Sequence, residues 1–365
     1  MASTTPNAVA NALPDAVEAV EATPKQARIS PTAQYYLRRI GLYIITLWGS
    51  LSATFFFFRL LPGDPISGII AQMQARGLQS QQTSSADMVA YYKRAFGLDG
   101  NLWEQYIRYF NQVIFHLNFG PSVLSYPKPA MDLVARGFPW TMAIIGTSVI
   151  LSWILGMAIG TLVGWKRNSR ISNWITNFCL LFQQINAYFI ALILVIFISY
   201  RWNLLPPNGA FDNSLQPAWS LKFIGSAIHY GILPVMAQVI TGTAGWVIGT
   251  RALIVTLLGE DFLTYANAKG LSTRRILFRY VLRNSWLPQI AALGISLGFV
   301  VNGNILIEQL FRYPGVGSLL INSVNVKDVN TAMAIVSVLI FFVLTINLII
   351  DLILPVFDPR VKYAK

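Results

Sequence analysis

Cysteine, histidine and acidic residues are scarce in this chain of 365 residues: one Cys, two His and 15 Asp plus Glu stand against 27 Lys plus Arg. A lone Cys179 inside an apolar run excludes an intrachain disulfide, and His116 with His229 cannot assemble a zinc constellation, so neither metal nor cofactor is expected. Charge of either sign is thin, at 12% of residues, whereas 55% are hydrophobic and fall in long blocks. That is the composition of an integral membrane protein. The net charge of +12 does not point to nucleic acid, because the basic residues are dispersed at the ends of apolar runs and form no stripe. A membrane-embedded enzyme is disfavoured as well: neither His has an evident Ser or Asp partner, and Asp351 has no second Asp inside a span.

A hydrocarbon core about 30 Å thick needs roughly 20 apolar residues per helix. Such runs lie at about 41–61, 141–165, 174–200, 231–257, 287–309 and 331–354. The expected fold is therefore all-α, a polytopic membrane protein with six transmembrane helices and both termini on one side of the lipid bilayer. The first run is long for a signal peptide and ends in Arg59-Leu-Leu-Pro-Gly-Asp64 without a small-residue cleavage site, so it is read as retained. Lys and Arg concentrate in the short segments around 25–39, 166–170, 251–283 and 360–365, which places these in the cytoplasm. Residues 1–35 read as a disordered cytoplasmic tail and 36–365 as the transmembrane domain. The large external loop, 62–138, follows the first span and contains a predicted helix from Leu102 to Ile114; a second loop of interest, 258–286, lies between the fourth and fifth spans on the cytoplasmic side.

Small residues recur four apart within the spans: Gly156, Gly160 and Gly164; Gly245 and Gly249; Gly294 and Gly298. Such seams let membrane helices approach closely, and a static contact is expected there. Polar residues inside apolar runs are costly and face the bundle interior or water. Gln183, Gln184 and Asn186 in the third span, Gln238 in the fourth, and Asn302 and Asn304 in the fifth are candidates for lining a translocation path; helix-to-helix hydrogen bonds are the alternative use. Glu308, near the outer end of the fifth span, is a further candidate, although an ion pair with Arg312 at i+4 is the expected arrangement. Asp351 is expected to pair with a cytoplasmic Arg or Lys. Neither an inverted repeat nor a broken helix is evident in the sequence, which weighs against a self-sufficient secondary transporter.

The cytoplasmic loop carries the most information. Phe262, Tyr265 and Ala266 fall at i, i+3 and i+4 and are expected to form one apolar face of a short helix, which Gly270 is placed to end. Ser272 or Thr273 can cap a second helix with Ile276, Leu277, Tyr280 and Val281 on an apolar face and Arg275, Arg279 and Arg283 on a basic one. The basic face can snorkel to anionic headgroups or dock a partner.

Ala266-Asn-Ala-Lys-Gly270-Leu, followed by Arg283-Asn284 and Leu287-Pro288, resembles the EAA loop of permease subunits of bacterial ABC importers, in the longer form of the dipeptide/oligopeptide branch. Arg38-Arg39 with Leu60-Leu-Pro-Gly-Asp-Pro65 resembles that branch's amino-terminal signature. Phe96-Gly-Leu-Asp99, Trp103-Glu-Gln-Tyr106 and Asn118-Phe-Gly120 resemble its external loop. Glu308-Gln-Leu-Phe311 with Tyr313-Pro-Gly-Val-Gly317, then Asn347, Asp351 and Asp358-Pro-Arg360, resembles its carboxy-terminal end. The resemblance implies a non-catalytic subunit of the first-permease type in a bacterial plasma membrane. Its partners would be a second homologous permease subunit, two cytoplasmic ABC ATPases and an extracytoplasmic solute-binding protein. It also implies ATPase coupling through Phe262, Tyr265, Ala266, Ala268, Lys269, Gly270, Arg275 and Arg279. Peptide is the default solute of the branch, with oligosaccharides and nickel complexes as alternatives. The chain departs from the family pattern at Thr264, where an acidic residue is usual, at Asn267, often basic, at Tyr280, usually His, and at Asn186, a Pro position.

Overall fold

The computed structural model describes residues 31–60, 85–299 and 305–357. Among the described residues the regular structure is helical, with one isolated bridge pairing Pro121 with Pro129. The sequence-expected tail at 1–30 and the motif residues 61–65, 302, 304 and 358–360 lie outside the described residues. Residues 31–35, assigned to the tail from composition, instead begin the first helix, α1 (Pro31–Leu60). Their ordering has a physical anchor: the Tyr35 hydroxyl donates to the Asp351 carbonyl at 3.1 Å, and Arg39 pairs with the Asp351 carboxylate at 2.8 Å.

Helices α2 (Ser85–Ala95) and α3 (Leu102–His116) follow, then α4 (Ala130–Trp165). The start of α3 is fixed by a capping box in which the Asn101 side chain accepts from Glu104 N and Glu104 reaches back to Asn101 N, satisfying two otherwise orphaned donors. Its buried face, Tyr106, Tyr109 and Val113, packs on Phe55 of α1 and on Ala130 and Val134 of α4. The Tyr109 hydroxyl meets Ser337 Oγ at 3.0 Å, so this helix caps the ends of several long helices.

The third expected span is not one helix. It divides into α5 (Arg170–Gln184) and α6 (Ala187–Leu194, continued by a π-helical segment Val195–Arg201), bent by 96°. A broken helix is therefore present where none could be read from the apolar run. Its cause is local. Ile185 is extended at φ −81° and ψ 126°, and the Asn186 side chain accepts from Tyr188 N at 2.9 Å, beginning a new helix. An Asn that caps competes with helix continuation.

The remaining elements are α7 (Leu221–Leu257), α8 (Asp261–Ala268), α9 (Thr273–Ile276, continued as π-helix through Leu277–Val281), α10 (Leu282–Phe299), α11 (Ile305–Leu310), α12 (Val316–Asn325) and α13 (Val329–Phe357). Four of the long helices, α1, α4, α7 and α13, are individually long and apolar enough to cross a membrane, and the bent pair α5–α6 makes a fifth if counted as one. The fifth expected run, 287–309, corresponds to α10 and α11, between which residues 300–304 are not described.

Helices α4 and α7 form the tightest long pair, for a reason visible in the Gly156, Gly160 and Gly164 stripe. A Cβ at Gly160 would lie 2.6 Å from Thr250 Cβ and 2.8 Å from the Val247 carbonyl oxygen. One at Gly164 would lie 2.8 Å from Ile254 Cβ, and one at Gly156 would overlap Trp246. Backbone approach of this kind supplies the dispersion contacts that hold helices together in lipid. The partner stripe contributes less, since Gly249 has open space around its Cα and Gly245 meets only Gln183, at 4.0 Å. Helices α1 and α13 are joined by polar rungs, Arg39 with Asp351 and the Tyr43 hydroxyl with Thr345 Oγ1 at 3.1 Å.

Candidate functional site

The loop after α7 folds as two short helices joined at Gly270. Helix α8 ends in a Schellman arrangement: Leu271 N donates to the Ala266 carbonyl at 3.3 Å and Gly270 N to the Asn267 carbonyl at 2.9 Å. Gly270 stands at φ +71°, a left-handed conformation that glycine adopts without a Cβ penalty. Leu271 then packs beside Ala266 in a small core with Ile254, Leu263, Ile276 and Val281. This core fixes both helices to the end of α7.

Which residues face inward differs from the periodicity reading. Leu263 (2% exposed) and Ala266 are buried, whereas Phe262 and Tyr265, expected on the same apolar face as Ala266, turn outward at 36% and 64%. In an eight-residue helix Ala266 can share a face with Phe262 and Tyr265 or with Leu263, and packing against Ile276 and Val281 selects Leu263. Ala268, Lys269, Gly270, Arg275 and Arg279 are exposed. The Lys269 ammonium lies 4.6 Å from the centre of the Tyr265 ring, a cation–π contact that holds both side chains on the outward face. The second helix keeps its expected faces, with Ile276 and Val281 buried and Arg283 exposed alongside the other arginines. The result is a ridge, basic and aromatic, resting on an apolar base.

The polar candidates fall into separate places. Gln183, Gln184 and Asn186 gather at the break between α5 and α6 and are exposed in the isolated chain, with Gln183 beside Gly245 of α7. Gln238 is half-buried and returns its amide to the Pro234 carbonyl at 3.3 Å, within α7. Asn302 and Asn304 lie outside the described residues. Gln289, which the sequence reading passed over, is buried between α10 and α7, donating to Thr250 Oγ1 at 3.1 Å while its carbonyl oxygen has no hydrogen-bond partner among the described residues. Its only sequence signal was a polar residue one position after Pro288.

Glu308 has no exposed surface. The expected i+4 geometry with Arg312 fails because α11 ends at Leu310 and Arg312, at φ +48°, turns outward and is exposed. The carboxylate instead accepts from Thr141 Oγ1 of α4 at 2.6 Å and from Ser318 N, in the first turn of α12, at 3.0 Å. Thr141 Oγ1 in turn accepts from Val316 N at 2.9 Å. The turn Tyr313-Pro-Gly-Val-Gly317 wraps this carboxylate so closely that a Cβ at Gly317 would lie 2.9 Å from it and one at Gly315 would overlap it. Burial and the nearby Glu308 charge push the Tyr313 hydroxyl up to about 12. Glu308 thus clasps α11, α12 and α4 at one point. Asp351 has the basic partner expected of it, Arg39.

A family model described as the inner membrane component of binding-protein-dependent transport systems matches residues 156–363, more than half of the chain and inclusive of the two-helix loop. The chain belongs to that family. It is thus an ABC-importer permease, a multi-pass protein of the inner membrane, and transport permeases are not themselves catalysts. Relatives align along nearly their whole length. A dipeptide transport system permease protein of Escherichia coli strain K12 is 29% identical over 348 residues, covering 91% of this chain and 99% of the relative. An oligopeptide transport system permease protein of Bacillus subtilis is 27% identical over 331 residues, covering 91% and 100%. A dipeptide permease protein of Lactococcus lactis is 27% identical over 331 residues, covering 90% and 99%.

Proposed function

We propose that this permease is the first-type transmembrane subunit of an ATP-driven peptide importer. It has six crossings, both termini in the cytoplasm, residues 62–138 outside and the coupling loop at 258–286 inside. Residues 36–365 form the transporting domain in this reading. It pairs with a second homologous permease, receives its solute from an extracytoplasmic binding protein and is driven by two cytoplasmic ATPases that hydrolyse ATP. Peptide as the solute is supported by relatives named for dipeptide and oligopeptide transport.

The observation that carries the reading is the outward ridge of the two-helix loop. Phe262, Tyr265, Ala268, Lys269, Arg275 and Arg279 are presented around Gly270, on helices pinned from beneath by Leu263, Ala266, Ile276 and Val281. A helix lying in a groove on the ATPase takes its anchors from such a face. Because the base is packed on Ile254 of α7, movement of the ridge is transmitted to α7 and, through the glycine stripe, to α4 as a rigid pair. The break at Ile185–Asn186 supports a polar path on the same permease. Interrupted backbone is tolerated at membrane depth only where protein or water covers it, and Gln183, Gln184 and Asn186 are there to bond a polar solute.

Reconstituted with its partner subunits, the permease is expected to take up labelled dipeptide only with ATP and binding protein present. Dipeptide uptake that persists without ATP, driven by an ion gradient, would overturn the assignment.

A further inference from the structure

A half-open pocket of about 310 Å³ lies in the cap formed by α2, α3 and the segment to α4, and three arginines line it: Arg59 from the end of α1, Arg94 from α2 and Arg108 from α3. Gln105, Asn118 and Phe119 also line it, and no Asp or Glu is among the described residues that do. Arg108 pairs with Asp99, whose carboxyl is held below the usual carboxylate range by that hydrogen bond. Neither Arg59 nor Arg94 makes an ion pair among the described residues. Arg59 is held in place by stacking on Phe55 at 5.6 Å and by a long contact to the Gly97 carbonyl at 3.4 Å, while its Nε and Nη1 are buried without a hydrogen-bond partner among the described residues.

A buried cation short of acceptors is costly, and the exposed Arg94 guanidinium lining the same pocket adds to the positive potential inside it. An anion entering there relieves both. Guanidinium groups match planar carboxylates with paired hydrogen bonds. Its volume lies at the lower end of the range for small-ligand pockets, so a recess for a small molecule fits better than a face for a protein. We propose that the cap of this permease holds a receptor site for the carboxylate of a small solute, built on Arg59, Arg94 and Arg108. The site rests on the peptide-import reading for the class of solute, a short peptide with a free C-terminus. It would hold that carboxylate before the solute enters the spans.

The test is calorimetric binding to the purified permease, with glycylglycine, glycylglycinamide and inorganic phosphate as probes. The expected result is binding of glycylglycine that weakens about tenfold or more in Arg59→Gln, equivalent to roughly 1.4 kcal/mol, and to a similar degree when the carboxylate is amidated. Retention of the ATPases is expected to be unchanged in Arg59→Gln and its melting temperature no lower than that of wild type, which separates failure of this site from failure of the transport reading. If that variant does not fold, Arg94→Gln, on an exposed residue, takes its place. Equal binding of the amide, phosphate binding as tight as the dipeptide's, or no binding to the wild type would overturn the proposal.

Discussion

Replacing Glu308 tests whether the clasp between α11, α12 and α4 holds the permease together. Glu308→Ala strands at least two donors, the Thr141 hydroxyl and the Ser318 N–H, which the carboxylate meets at 2.6 and 3.0 Å where Glu308 has no exposed surface. An unsatisfied buried donor costs about 1–3 kcal/mol, so the pair amounts to roughly 2–6 kcal/mol. Glu308→Gln keeps one acceptor but turns an amide N–H₂ toward the other donor, and its cost is about that of one stranded group, roughly 1–3 kcal/mol. The assay is thermal unfolding of purified permease in detergent, followed by tryptophan fluorescence. Trp140 makes a natural reporter, because its ring stands 5.7 Å from that of Tyr313 in the clasping turn. A double-mutant cycle with Thr141→Val isolates the shared bond and should show coupling above about 0.5 kcal/mol. Melting of Glu308→Ala within error of wild type, or strict additivity in the cycle, would refute the clasp.

Three further outcomes are expected. Gly160→Leu should destabilise the permease by about 1–3 kcal/mol or more, because its side chain meets the Thr250 Cβ and the Val247 carbonyl rather than a flexible chain end; Gly249→Leu, facing open space, should melt near wild type. At the break, Asn186→Ala should cost about 1 kcal/mol through loss of the cap on Tyr188 N, read by the same melts. Asn186→Pro should do no worse, since Asn186 already has φ −64° and Ile185 is already extended. Asp351→Asn should cost no more than about 1 kcal/mol by thermal unfolding, because both partners of the Arg39 pair are partly exposed.

The parts that could be read from the sequence were those governed by local rules. Gly270 and its neighbours are laid out as a helix ending, and the long apolar runs coincide with α1, α4, α7 and α13. The apolar face expected of α8 is split, because Phe262–Tyr265–Ala266 and Leu263–Ala266 fit the same short period and only packing against Ile276 and Val281 turns Leu263 and Ala266 inward. The break before Asn186 was hidden because a single Asn in an apolar run reads as a buried polar residue, whereas its side chain serves as a cap. The Glu308 clasp was beyond local reading for a different reason: Thr141 is 167 positions away, and i+4 spacing offered Arg312 instead.

The coupling role of the loop is tested most directly by co-purification of the permease with its ATPases in detergent, comparing wild type, Gly270→Arg and the double variant Phe262→Ala with Tyr265→Ala. Gly270→Arg forces a side chain into a left-handed position at φ +71° and misplaces both helices. The double variant removes two outward side chains and leaves the buried base of Leu263 and Ala266 intact. The expected result is an ATPase that stays with wild type and is lost from both variants, with membrane insertion unchanged. A wild type that purifies alone under conditions preserving other importer complexes, or equal retention in all three, would contradict the coupling assignment and leave the ridge as a basic segment facing lipid headgroups.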